Sequence, residues 1–149
     1  MRVYEDDRFT LEHSEECTVP GYLVLRMRAK DAALPRLDDR DAERLGALLA
    51  RAAQAISAAT GAERVYCLSF CEVDARLHFH LFPRTRWLLD AYHEATGTGG
   101  EPVNGPALFE WARRRFSAGA GLPASQGDPA STLARMREAL ATALGPSGG

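Results

Sequence analysis

Apolar and polar residues alternate from the start of the chain. Phe9, Leu11 and His13 are interleaved with Thr10 and Glu12, the two-residue period of a strand with one buried face. Val3-Tyr4 reads as a shorter strand before it, and the polar run Glu5-Asp6-Asp7-Arg8 between them predicts a hairpin turn. Pro20-Gly21 punctuates the chain, and Tyr22-Leu23-Val24-Leu25 follows as an apolar run suited to a central strand. Further on, Val65 to Phe70 and Leu77 to Phe82 are strand-like and separated by about six residues, which predicts an antiparallel pair ended by Pro83.

Between these strands the period changes. Leu45, Leu48, Leu49, Ala52, Ala53 and Ile56 recur at steps of three and four and define one face of a long helix. Asp38 is its predicted N-cap, and Asp41 and Glu43 lie in the first turn, where the backbone dipole is positive. Thr60-Gly61 supplies the left-handed stop. A helix is predicted from Pro106, with Leu108, Phe109, Ala112 and Phe116 inward. Another is predicted from Asp128-Pro129, with Leu133, Met136, Leu140 and Leu144 on one face, stopped by Gly145-Pro146; the terminal Pro-Ser-Gly-Gly should fray. The Gly- and Pro-rich stretches from Gly97 to Pro106 and from Ser117 to Ala130 read as loops.

Composition narrows the function classes. A chain of 149 residues with 46% hydrophobic content suits one globular domain. Its net charge of −2 argues against non-specific nucleic-acid binding, which needs a positive field. No apolar run approaches the ~20 residues of a membrane span. The opening residues lack an apolar leader-like run, and three cysteines in strand-like text imply no disulfide framework, so a cytoplasmic location is expected. The 17 arginines against one lysine, Lys30, accompany abundant alanine and are read as compositional bias.

The chemistry concentrates in Arg76-Leu77-His78-Phe79-His80-Leu81-Phe82-Pro83-Arg84. Strand alternation sets Leu77, Phe79 and Leu81 on one face, expected under the long helix. Arg76, His78, His80 and Phe82 fall on the other. Three readings are open for the two imidazoles and the guanidinium. The first is a half-exposed strand with histidines of no chemical role. The second is a metal site, for which the further ligands would come from Cys67, Cys71, Glu72, Asp74, His13 or His93; none of these has a recognised ligand spacing, and Arg76 would repel a cation. The third is an anion site with a nucleophilic histidine. An arginine beside neutral imidazoles suits phosphate oxygens and disfavours imidazolium, which leaves a histidine able to attack.

The segment His78-Phe79-His80-Leu81-Phe82-Pro83-Arg84 resembles the histidine-triad signature, in which three histidines alternate with apolar residues. The resemblance extends upstream to Val3-Tyr4-Glu5-Asp6-Asp7-Arg8, to Pro20-Gly21-Tyr22-Leu23-Val24-Leu25, and to the helix from Asp38 to Thr60. It covers residues 3 to 85. It implies an α+β fold, with an antiparallel sheet of about five strands carrying one long helix. On this reading residues 1–86 are the core, and residues 87–149 are a C-terminal helical extension packed on the same domain. The resemblance also implies a homodimer, a nucleotide or nucleotide-derived ligand, and no cofactor or metal. The reaction it implies is hydrolysis or nucleotidyl transfer at an α-phosphorus through a nucleotidyl-histidine. His78 matches the attacking histidine, and His80 the one that contacts phosphate and leaving-group oxygens.

Departures from the pattern define the remaining candidates. Arg76 stands where the first triad histidine belongs; it can clamp phosphate but cannot transfer a proton. Ala29-Lys30 replaces an upstream basic-His pair, and Ser14 stands where a ribose-binding acid or amide is usual. Ser69 lies where the family presents polar groups to phosphate, and Arg84 follows Pro83. Ser14, Ser69, Arg76 and Arg84 are therefore the candidate substrate-binding residues. These losses favour, as the alternative, a catalytically weakened nucleotide-binding or interaction module. Arg113-Arg114-Arg115 reads as the solvated side of a helix.

Overall fold

The computed structural model describes residues 1–123, 126 and 129–144. Five strands form one antiparallel sheet: β1 (Arg2–Glu5), β2 (Phe9–His13), β3 (Leu23–Met27), β4 (Arg64–Leu68) and β5 (His78–Arg84). Their order across the sheet is β1-β2-β3-β5-β4. The helices are α1 (Asp39–Thr60), α2 (Arg86–Thr96), α3 (Gly105–Arg115) and α4 (Pro129–Leu144). This is the expected α+β architecture.

Local chemistry explains the elements. The β1–β2 hairpin turns on Asp6, whose carboxylate accepts from the backbone N–H of Arg8 (2.9 Å) and of Phe9 (2.7 Å). Asp38 caps α1 through the N–H of Asp41 (2.8 Å), and Gly61 ends it with φ +67°. Asp41 is buried against β2 rather than solvated, and Arg8 forks onto it (Nε to Oδ1, 2.8 Å), which ties the helix start to the hairpin turn. Asn104 caps α3 through the N–H of Ala107 (3.1 Å).

Two expectations change. Strand β5 runs through Pro83 to Arg84 instead of ending at the proline. Pairing with β3 stops at Leu23–Leu81, while pairing with β4 continues to Arg64–Arg84. Beyond Leu81 one side of β5 therefore has no strand beside it, and proline is tolerated there. Second, helix α2 begins directly after this strand, and the sequence pattern did not single it out. It buries only Leu88, Leu89 and Tyr92, too short an apolar stripe to stand out. Asp128, Gly145-Pro146 and the terminal residues lie outside the described residues, as does the side chain of Leu144.

The sheet is covered on both faces. On one, α1 packs Leu45, Leu48, Ala52 and Ile56 over Leu11, Leu25 and Leu81, and α4 adds Leu133, Met136 and Leu140. On the other, α2 and α3 bring Leu88, Leu108, Phe109 and Phe116 against Tyr22, Val24 and Phe82. Leu77, Phe79 and Leu81 face α1 and Phe82 faces α3, the alternation expected of β5. The α2–α3 pair covers the β4–β5 side of the second face. Towards β1 that face carries polar side chains instead. There Arg28, Glu5, Arg2, Glu12, Arg26, Asp74 and Arg76 form one alternating chain of ion pairs that ends at the histidine strand.

Candidate active site on the histidine strand

His78 and His80 project from the start of β5, on the face away from α1. Register sets His78 opposite Arg26, and His80 between Val24 of β3 and Leu68 of β4. Their rings meet edge to face, with centroids 5.1 Å apart.

The ring of His78 is oriented by the backbone. Its Nδ1 lies 2.7 Å from the carbonyl oxygen of Arg76. A carbonyl only accepts, so Nδ1 carries the proton, and in the neutral ring Nε2 holds the lone pair. The Oγ of Ser69 donates to the carbonyl of His78 (2.7 Å), fastening the β4–β5 loop to the strand. Cys71 in that loop adopts φ +55° and brings its Sγ to 3.8 Å from His78 Nδ1. His78 is only 7% exposed.

His80 sits in an aromatic seat. Its Nδ1 is 2.8 Å from the Tyr22 hydroxyl, and its ring lies 6.2 Å from that of Phe109. Burial, then the neighbouring charges of His78, Arg113 and Arg26, pushes its pKa down to about 4, so it is neutral at physiological pH. Burial raises the Tyr22 phenol, which stays protonated.

Arg76 is not a free cation. Its guanidinium forks onto Asp74 (Nε to Oδ1 3.0 Å, Nη2 to Oδ2 2.7 Å), and these bonds hold the Asp74 carboxyl well below the usual carboxylate range. Arg26 lies 3.6 Å from the same carboxylate. Arg76, Arg26 and His80 line one cavity of about 520 Å³, together with buried Ser14. His13 lines it too, its ring nitrogens 2.8 and 3.2 Å from the Ser14 and Val19 carbonyls. Its wall also carries Glu5, Glu12, Glu15 and Glu16, so guanidiniums and carboxylates balance.

Of the candidates, Arg76, His80 and Ser14 come together around this cavity. His78 adjoins His80 behind it, and Ser69 holds the His78 backbone. Arg84 is not brought to the cluster: it is buried at the far end of β5 and donates to Glu63 (2.6 Å). Of the run read as solvated, Arg114 and Arg115 are exposed and Arg113 is half-buried. It pairs with Glu16 and lies over the Phe109 ring at 5.5 Å. Sequence reasoning missed Arg26, the Asp74–Arg76 pair, Phe109 and Arg113. Asp74 was within reach, because a carboxylate two residues from an arginine is a local pattern. Arg26 follows from the alternation Leu23, Leu25, Met27 once β3 is set beside β5. Among the described residues no group of three or more His, Cys, Asp or Glu side chains is arranged to hold a metal ion.

Neither a family model nor a curated protein matches the chain. Solved structures do. A histidine triad protein from Sinorhizobium meliloti superposes with TM-score 0.61 at 18% identity, over 93% of this chain and 87% of that one. One from Marinobacter aquaeolei gives 0.61 at 15%, over 95% and 89%. A hypothetical histidine triad nucleotide-binding protein from Sulfolobus tokodaii gives 0.59 at 14%, over 95% and 83%. These superpositions over nearly the whole chain give it the fold of the histidine-triad proteins.

Proposed function

We propose that the chain, as a homodimer, binds a nucleotide at the Arg76–His78–His80 cluster and transfers its nucleotidyl group through His78. The carrying observation is the bond from His78 Nδ1 to the Arg76 carbonyl, which leaves Nε2 as the ring's lone-pair atom. In the reaction that lone pair attacks the α-phosphorus. A P–N bond forms, the P–O bond to the leaving group breaks, and the leaving group departs with the electron pair. The proton stays on Nδ1, hydrogen-bonded to the Arg76 carbonyl, whose oxygen steadies the positive charge that develops on the ring.

The remaining groups act by position and charge. If the Tyr22 hydroxyl donates to Nδ1 of neutral His80, the proton of His80 sits on Nε2 and serves as a donor to a phosphoryl oxygen. Arg76 and Arg26 offer fixed positive charge beside it. Neither can move a proton, so the leaving group takes its proton from solvent. Water or another acceptor then cleaves the P–N bond and regenerates His78.

Trapping tests this reading. The chain incubated with α-labelled nucleoside phosphoramidate or dinucleoside polyphosphate should carry an acid-labile, base-stable label, and His78→Ala should lose it entirely. Label retained in His78→Ala would overturn the mechanism.

One observation favours binding without turnover. Arg76 stands in for an imidazole, and its guanidinium is already committed to Asp74. On that reading a nucleoside monophosphate raises the denaturation midpoint while no label is ever trapped.

A further inference from the structure

His80 has a second neighbourhood. On its β4 side, across from the charged cavity, a separate cavity of about 550 Å³ opens between α3 and the β4–β5 loop. Leu68, Phe70, Pro106 and Phe109 give it apolar walls, and Arg113, Arg114 and Glu110, which pairs with Arg114, stand along the helix side. Its size is that of a small-molecule site, in which apolar lining and a few charged groups are the usual mix.

Three features point to the chemistry of its occupant. Phe70 is 67% exposed, a large ring left in water although its loop is fastened by the Ser69–His78 bond. Phe109 lies opposite, in the wall formed by α3. Arg113 covers the Phe109 ring, its Nε is buried with no hydrogen-bond partner among the described residues, and its counter-ion Glu16 is a 70% exposed carboxylate. An exposed ion pair of that kind is weak, so an incoming anion can take the place of Glu16 on the guanidinium. Glu16 lines both cavities.

We infer that this cavity is a second binding site, for an aromatic ring carrying an anionic group: the ring lies between Phe70 and Phe109, and the anion replaces Glu16 on Arg113. The site uses neither His78 nor Arg76 and shares only Glu16 with the charged cavity, so it stands or falls apart from the nucleotidyl-transfer reading.

Calorimetric titration with phenyl phosphate tests it, with inorganic phosphate as its anionic half and benzyl alcohol standing in for its aromatic half. Phenyl phosphate should bind about tenfold or more tighter than either half, the worth of one charge-assisted contact added to apolar burial. Phe70→Ala, at an exposed position that the fold does not need, should weaken it several-fold. Arg113→Gln should erase the advantage over benzyl alcohol. Glu16→Gln should tighten binding, because it removes the competing carboxylate. Binding at this cavity should persist in His78→Ala, since His78 is not among its walls. Equal affinity for inorganic phosphate, equal affinity for benzyl alcohol, indifference to Phe70→Ala, or loss of binding in His78→Ala would each overturn the site. The last result would assign the probe to the histidine pair instead.

Discussion

His80 shows how much a residue's chemistry depends on its seat. A free imidazole titrates near pH ~6.5. In the fold, burial against Tyr22 and Phe109 holds it neutral down to about 4. We expect its ring-proton NMR shift to be flat from pH 8 to pH 5 and to move only near 4. Linkage gives the sign for stability. Below ~6.5 the unfolded chain gains a proton at this residue that the folded chain refuses, so the contribution is whole above ~6.5 and is lost as pH falls towards 4. Urea denaturation of His80→Gln should therefore show a flatter acid limb than the parent. A His80 resonance titrating near 6.5 would show that the ring is solvated. That His78 and His80 share a face of β5 with Arg76 was legible in the sequence, because residues two apart on a strand point the same way. The tautomer of His78 was not, since it is set by a carbonyl whose direction depends on how the β4–β5 loop folds back.

Elements are governed mostly by their ends. The sharpest case is Gly21, between α1 and β3, with φ +86° and only 2.6 Å between an added Cβ and the Thr60 methyl. Gly21→Ala meets both a left-handed backbone and the last turn of α1, and should lower stability by about 1–3 kcal/mol. Thr60→Ser in the same chain should recover only part, because it relieves the contact and leaves the backbone strained. Full recovery in a denaturant titration would assign the whole effect to sterics. The caps of α1 and the alternation of β5 could be read ahead of the structure, because each depends on neighbours within four residues; the Asn104 cap of α3 was not read, and that helix starts at Gly105 instead of Pro106. Helix α2 could not: three buried residues on eleven give a period too brief to separate from a loop.

At the scale of the molecule the sheet has helices on both faces, and β4 ends it with an edge unpaired by any strand among the described residues. The proposed homodimer predicts sedimentation at twice the chain mass at micromolar concentration; a species of single-chain mass would remove the dimer from the proposal. It would leave the candidate site intact, because Arg76, His78, His80, Tyr22 and Arg26 all belong to one chain. No helix among the described residues is long and apolar enough to cross a membrane. By itself the amino-acid sequence determined the strand periods, the periods of α1, α3 and α4, the caps of α1, and the face on which Arg76, His78 and His80 lie, since these depend on backbone geometry and on residues a few positions apart. The tertiary structure alone decided which charges far apart in the chain meet. Arg113 reaches Glu16 across 97 positions and Arg8 reaches Asp41 across 33, while Arg84 turns away to Glu63. Such pairs carry no local signature, because a long charged side chain takes whichever partner the packed elements bring within reach.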